Sequence, residues 1–235
     1  MTGDARRIWV TRASPGAEAT AERLEALGWT PLVDPLLAVR DLSPVLDLSG
    51  VAALAFTSLN GVNAFARLDP DRTRRVFAVG DRTAAAARAA GFATVMSADG
   101  DVEALAALII AEAAGLDGAV LHPGALEPAG DLLSPLTAAG ITARRLAVYE
   151  TVTRRPAPET LANFETLDAV LLHSPRAARI LAGLLVDRPA PGLRALCLSS
   201  AVAAPLETPR QAGGLESVAF APRPDETALL ELLAR

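Results

Sequence analysis

Six short stretches of this chain place hydroxyls, small residues, histidine or arginine directly after an apolar run. They are Thr11-Arg12, Thr57-Ser58-Leu59-Asn60, Gly80-Asp81-Arg82-Thr83, His122-Pro123-Gly124, His173-Ser174-Pro175-Arg176 and Ser199-Ser200. Carboxylates are scarce in the set. Each stretch leads into a segment with helical period. Free backbone N–H groups and the positive end of a helix dipole therefore converge on the edge that carries the hydroxyls. Such an edge suits an anion. The candidate binding residues are Thr11, Arg12, Thr57, Ser58, Asn60, Gly80, Arg82, Thr83, His122, Gly124, His173, Ser174, Arg176, Ser199 and Ser200. A plainer account competes at each position, because Ser, Thr and Asn are also good N-caps and an arginine beside a strand end is often a solvated charge. The recurrence of the pattern favours a site.

The rest of the composition excludes several chemistries. All 22 basic residues are arginine. Without lysine there is no Schiff base, no P-loop and no kinase lysine. A phosphoacceptor of the response-regulator kind needs an acidic cluster and a lysine at strand ends, and neither is here. No G-x-G-x-x-G follows a strand, and G-x-S-x-G is absent. The single Cys197, inside "LRALCLSS", reads as a small buried hydrophobe. One cysteine and two histidines supply neither a disulfide nor a metal site. A net charge of −5 argues against a nucleic-acid binder. No run approaches the roughly 20 apolar residues of a membrane span, and "MTGDARRIWV" has no signal-like apolar core. The expectation is a cytoplasmic monomer without a metal site.

The elements that must position these residues follow from periodicity. "RIWVT", "VAALAFT", "RVFAVG", "ATVMSA", "GAVLHPG", "LDAVLLHS", "LRALCLS" and "LESVAFA" read as strands. Helix-period segments alternate with them. "PGAEATAERLEALG" is one, with Leu24 and Leu27 on one face and Gly28 as its stop; "EPAGDLLSPLTAAG" is another, closed by Gly140. Strands apolar on both faces, each followed by a helix, predict parallel sheets covered on both sides. The plan is written twice. Ser58 matches Ser174, Gly28 matches Gly140, and Gly80 matches Ser199. "PLLAVRDLSP" and "RRLAVYETVTRRPAP" are Pro-flanked extended stretches at corresponding places, and they read as connectors.

The chain resembles the uroporphyrinogen-III synthase family. The likeness runs through "VTRA" and "LG" (Val10 to Gly28), "FTSLNGV", "AVGDRTA", "VLHPG" to "VYET", "HSPRA" and the closing "PDETALLELL". It implies an α/β fold of two similar domains, each a parallel sheet flanked by helices. A two-stranded β connector joins them, and the chain crosses from domain 1 to domain 2 and back. Domain 1 is then 1–36 and 152–235, domain 2 is 40–147, and the connectors are 36–42 and 146–153. The implied substrate is hydroxymethylbilane, a linear tetrapyrrole bearing eight carboxylates. It would be held in a cleft between the domains, lose its hydroxyl as water and close with ring D inverted, with no metal or cofactor. Tyr149 matches the "VY" position and is the first candidate for the acid; His122 or His173 is next. A phenol packed on the connector is the plain alternative for Tyr149. Ser199 and Val202 depart from the family pattern, which has a glycine and often a threonine there. The other class of function is a non-enzymatic sensor of a tetrapyrrole or another polyanion.

Overall fold

The computed structural model describes residues 6–14 and 16–234. The apolar run Arg7–Val10 is β1. Helix α1 (Gly16–Ala26) buries Ala17, Thr20 and Leu24. Past its end Gly28 takes a φ of +78°, open to glycine at no steric cost. Strands β2 (Thr30–Val33) and β3 (Leu37–Asp41) follow. β4 (Val51–Phe56) enters α2 (Leu59–Leu68) through Ser58, whose side chain accepts from the Gly61 N–H. Next come β5 (Arg75–Ala78), α3 (Asp81–Ala89), β6 (Val95–Ser97) and α4 (Val102–Ala111). β7 (Ala119–Ala125), α5 (Leu133–Ala138) and the long β8 (Ala143–Thr153) come after them. α6 (Pro158–Ala162) leads to β9 (Ala169–Leu172) and α7 (Pro175–Asp187), which Ser174 caps by accepting from the Ala177 N–H. The chain closes with β10 (Ala190–Cys197), α8 (Ser200–Ala203), α9 (Glu207–Gln211), β11 (Leu215–Phe220) and α10 (Glu226–Leu230).

Contacts divide the chain into two units: residues through Ala38 with Val152 onward, and Val39–Thr151. The first unit's sheet has the order β11-β10-β9-β1-β2, and its four pairings are parallel. Alternation along β1 sends Trp9 into one core with Val170, Leu172, Leu181 and Phe164. It sends Ile8 and Val10 into the other, with Leu24, Leu171, Leu196 and Leu229. The second unit's sheet has the order β3-β8-β7-β4-β5-β6. Leu54, Phe56, Val62 and Phe65 fill one side, and Ala53, Phe77, Leu105 and Ile109 the other. Both sheets are therefore buried on both faces, as their runs of Val, Leu and Ala require. β3 joins β8 at the sheet edge. The Leu42 N–H donates to Val148 and the Arg154 N–H to Leu36, so the partner number falls as the other rises, the mark of an antiparallel pair.

Each sheet reverses its strand order once. In the first unit the chain passes from β1 to β2 on one side, while β9 and β10 run off on the other. In the second, β4, β5 and β6 run one way and β7 and β8 the other. The strand pairs β1/β9 and β4/β7 are thus the topological switch points, where open α/β sheets leave a crevice beyond the strand ends.

The α/β fold class is as the sequence predicts, and the written repeat holds at the backbone. Gly28 and Gly140 both sit at φ +78°. Ser58 and Ser174 make the same cap at nearly the same angles. Gly80 and Ser199 are both extended N-caps without a side-chain cap bond. Four local readings are corrected. Leu27 is 57% exposed while Leu24 is fully buried, because α1 ends at Ala26 and Leu27 falls outside the apolar stripe. "EPAGDLLSPLTAAG" forms only the short α5, since Pro128 and Gly130 hold its first half out of a helix. His122-Pro123-Gly124 lies inside β7, which runs on to Ala125 in register with β8, and so does not open a helix. "RRLAVYET" is a sheet strand in its own right, pairing parallel with β7 from Ala143 to Tyr149.

Candidate functional site

At the switch point of the second unit, β4 ends at Phe56, and Thr57 and Ser58 turn into α2. Thr57 Oγ1 lies 3.0 Å from His122 Nε2 on β7. Ser58 Oγ accepts from the Gly61 N–H at 3.1 Å and lies 3.0 Å from the hydroxyl of Tyr149, the only tyrosine. The phenol ring packs in the core with Leu54, Phe56 and Phe65 and is 8% exposed. Either hydroxyl can be the donor. If Ser58 donates to the phenol oxygen, the phenol proton is free for a ligand at the start of α2. Two glycines make room for this arrangement. A Cβ on Gly61 would stand 2.8 Å from the Pro123 carbonyl oxygen, so α2 reaches β7 only with a glycine there. A Cβ on Gly124 would stand 3.0 Å from His122 Nε2.

His122 is buried, and burial pushes its imidazole down to about 4, with the Arg145 guanidinium adding to the effect. Arg145 is its register partner on β8. His122 is therefore neutral near pH 7, a hydrogen-bonding group without charge. Its Nδ1 is buried with no partner among the described residues, and the same holds for His173 Nδ1.

The switch point of the first unit carries a different chemistry. Arg12 follows β1 and His173 follows β9. Both reach the carboxylate of Glu226, the first residue of α10. Arg12 Nη1 and His173 Nε2 lie 2.8 Å and 2.9 Å from Glu226 Oε2. The Thr20 hydroxyl of α1 is 2.6 Å from Oε1 and 3.0 Å from the Gly16 carbonyl. A hydroxyl has one proton, and the shorter, charge-assisted bond to the carboxylate takes it. Burial acts to raise the Glu226 pKa. Hydrogen bonds from His173 and Thr20 and the charges of His173 and Arg12 outweigh it and bring the carboxyl down to about 2. Glu226 is thus ionised throughout the physiological range.

Several expected ligand groups are already engaged. Thr11 is fully buried and its hydroxyl donates to the Leu171 carbonyl at 2.6 Å, tying β1 to β9; it is not a free donor. Arg12 is neutralised by Glu226 and is not an open cation. Ser174 accepts a cap bond, and its proton remains available. Arg82 and Arg176 are exposed, each in the first turn of its helix, α3 or α7. Asn60 is half-buried in the first turn of α2, and Thr83 is buried in α3. Ser199 caps α8, and Ser200 is its exposed first residue. Val202 packs into the first unit's core. Cys197 is fully buried, its thiol pushed up to about 12 by burial, and offers no nucleophile. The residues that sequence reasoning misses are Glu226, Thr20 and Gly61. An acidic residue in a helix's first turn reads as a dipole partner, so nothing local marks Glu226. Among the described residues no His, Cys, Asp and Glu cluster could hold a metal, and no helix is long and apolar enough to cross a membrane.

Comparison with known proteins follows the same lines. The family model for uroporphyrinogen-III synthase HemD matches residues 18–231. A uroporphyrinogen-III synthetase from Helicobacter pylori aligns at 19% identity with a TM-score of 0.64, over 98% of each chain. A mutant uroporphyrinogen III synthase from Thermus thermophilus aligns at 20% identity with a TM-score of 0.52, also over 98% of each chain. At these identities the structural likeness speaks for the fold. No curated protein matches.

Proposed function

Because the chain belongs to the uroporphyrinogen-III synthase family, enzymes that are cyclising lyases of tetrapyrrole biosynthesis, we propose that it closes hydroxymethylbilane to uroporphyrinogen III. In this reading the terminal hydroxyl leaves as water and ring D is inverted before the macrocycle closes. The substrate's carboxylates are held at helix N-termini, the Ser58, Gly80, Ser174 and Ser199 turns being the candidates. Backbone N–H groups at these turns and the hydroxyl protons of Ser174 and Ser199 supply donors without lysine, while the Ser58 proton is committed to Tyr149. Exposed Arg82 and Arg176 add charge at two of those turns.

The observation that carries the reading is the 3.0 Å pairing of Tyr149 with Ser58 at the second unit's switch point. It sets a proton donor beside a helix start that favours an anion. Tyr149 gives its proton to the departing hydroxyl while the C–O bond breaks, and Ser58 supports the phenol oxygen. Thr57 and His122 form the neighbouring wall. His122, neutral at working pH, adds polarity without repelling a cationic intermediate. Most of the task is steering: the bilane can close without inversion, so the protein must hold the less direct geometry.

The test is incubation with freshly made hydroxymethylbilane followed by separation of the product isomers. Isomer III should dominate with the protein present. An isomer ratio identical to that of the protein-free reaction would sink the proposal and leave a binding protein.

A further inference from the structure

We infer that Arg12, Thr20 and His173 form a carboxylate-binding subsite at the first unit's switch point, that Glu226 is its resident intramolecular occupant, and that a substrate carboxylate enters by exchange with Glu226. The inference rests on the proposed polycarboxylate substrate and adds a place for one of its carboxylates.

Three donors from three separate elements meet on one carboxylate. Arg12 comes from the turn after β1, Thr20 from α1 and His173 from the end of β9. Both oxygens are served: Oε1 by Thr20 at 2.6 Å, and Oε2 by Arg12 at 2.8 Å and His173 at 2.9 Å. This is the donor set a ligand carboxylate needs, and it stands where an open α/β sheet binds ligands. Local packing maintains it. A Cβ on Gly16 would lie 2.5 Å from the Arg12 guanidinium, so only glycine lets that cation rest over the first turn of α1. Thr20 is 1% exposed, which fixes its hydroxyl.

The occupant sits on a short element. Glu226 opens a five-residue helix and follows an exposed run, residues 222–225. Its side chain retains 18% of its surface, a route by which it can rotate into water. Exchange of one carboxylate for another keeps the charge balance and all three hydrogen bonds. The exchange is then close to neutral in energy, and Glu226 acts as a tethered competitor. A competitor that fills the subsite most of the time lowers apparent ligand affinity by the fraction of time it is away.

Equilibrium binding of uroporphyrin, an octacarboxylate whose fluorescence reports binding, tests this apart from turnover. Glu226→Gln keeps the shape and removes the charge, and it should bind uroporphyrin about tenfold more tightly. Asp225→Ala removes the side-chain cap of α10, loosens Glu226 while leaving all three donors in place, and should give a smaller gain in the same direction; it also serves if Glu226→Gln does not fold. Adding Arg12→Ala to Glu226→Gln should abolish the gain. Unchanged or weaker binding in folded Glu226→Gln, or a gain that survives the loss of Arg12, overturns the inference and leaves the cluster as an internal ion pair. The isomer ratio made by the unaltered protein is a separate measurement, so failure here is distinct from failure of the proposed reaction.

Discussion

Tyr149→Phe separates a proton donor from a packed ring. The ring is 8% exposed and sits among Leu54, Phe56, Val62 and Phe65, and phenylalanine preserves all of that contact. What is lost is one hydrogen bond of 3.0 Å to Ser58 Oγ. Ser58 keeps its other partner, the Gly61 N–H at 3.1 Å, so α2 remains capped. The stability cost is then about 1 kcal/mol, a Tm change of roughly 2–4 °C for a chain of this size. The catalytic cost is of another order. Removing a general acid lowers rate by about 10²- to 10⁴-fold, which is about 3–5 kcal/mol in the barrier. The fall should lie in kcat with KM nearly unchanged, because the interaction grows as the leaving oxygen gains charge. Single-turnover cyclisation of hydroxymethylbilane with isomer-resolved product reads rate and outcome together, and a urea titration of the same variant reads stability. A rate within threefold of the unaltered protein, with the usual isomer ratio, refutes the acid role and leaves Tyr149 as a core residue. A small rate loss with more non-inverted isomer would reassign it to holding the substrate.

The remaining predictions concern the frame of the site. His122 has a folded pKa of about 4 against an ordinary 6.5, so the unfolded chain takes up its proton first as pH falls. Stability should be full above pH 6.5 and decline towards pH 4 by up to about 3 kcal/mol; urea midpoints for the protein and for His122→Gln across that range should differ in slope, and parallel curves would contradict the assignment. Gly61→Ala gains helix propensity of roughly 1 kcal/mol but sets a methyl 2.8 Å from the Pro123 carbonyl. The clash with backbone should dominate, giving a net loss of about 1–3 kcal/mol and a weakened Tyr149–Ser58 contact; an equally stable variant would show that α2 can move at no cost. Asp34 is buried, and its Oδ2 accepts from the Ala157 N–H at 2.7 Å and the Thr160 hydroxyl at 2.6 Å. Asp34→Ala strands both donors and should cost about 2–4 kcal/mol in a denaturant titration, and a cost near zero would mean that the segment after β8 relaxes to satisfy them.

Much of the fold was legible because its determinants are local. A strand needs a short apolar run, a helix needs period 3.6, and a cap needs a hydroxyl three residues before the N–H it serves. Ser58 and Ser174 satisfy the last condition within four residues of sequence, and both caps are formed. Gly28 and Gly140 mark helix stops for the same reason, since the demand for positive φ lies at one residue. Local rules also misread segments where a neighbour decides. His122-Pro123-Gly124 reads as the opening of a helix, yet β7 runs on to Ala125 in register with β8.

What the sequence by itself determined, then, is the alternation of elements, the burial of both faces of each sheet, the repeated caps and the polar character of the strand ends. Tertiary structure decided which of those ends meet. β1 and β9 are neighbours only because the chain leaves the first unit and returns, so Arg12 finds Glu226 across a separation of 214 residues. Tyr149 reaches Ser58 across 91 residues and His122 reaches Thr57 across 65. Pairings at such separations leave no periodic trace, because they depend on strand order and not on spacing. Charge is subject to the same limit. Arg12 reads as an open cation in sequence and is a neutralised one in the fold, since its partner comes from a distant helix and partial burial strengthens the pair relative to one in open water.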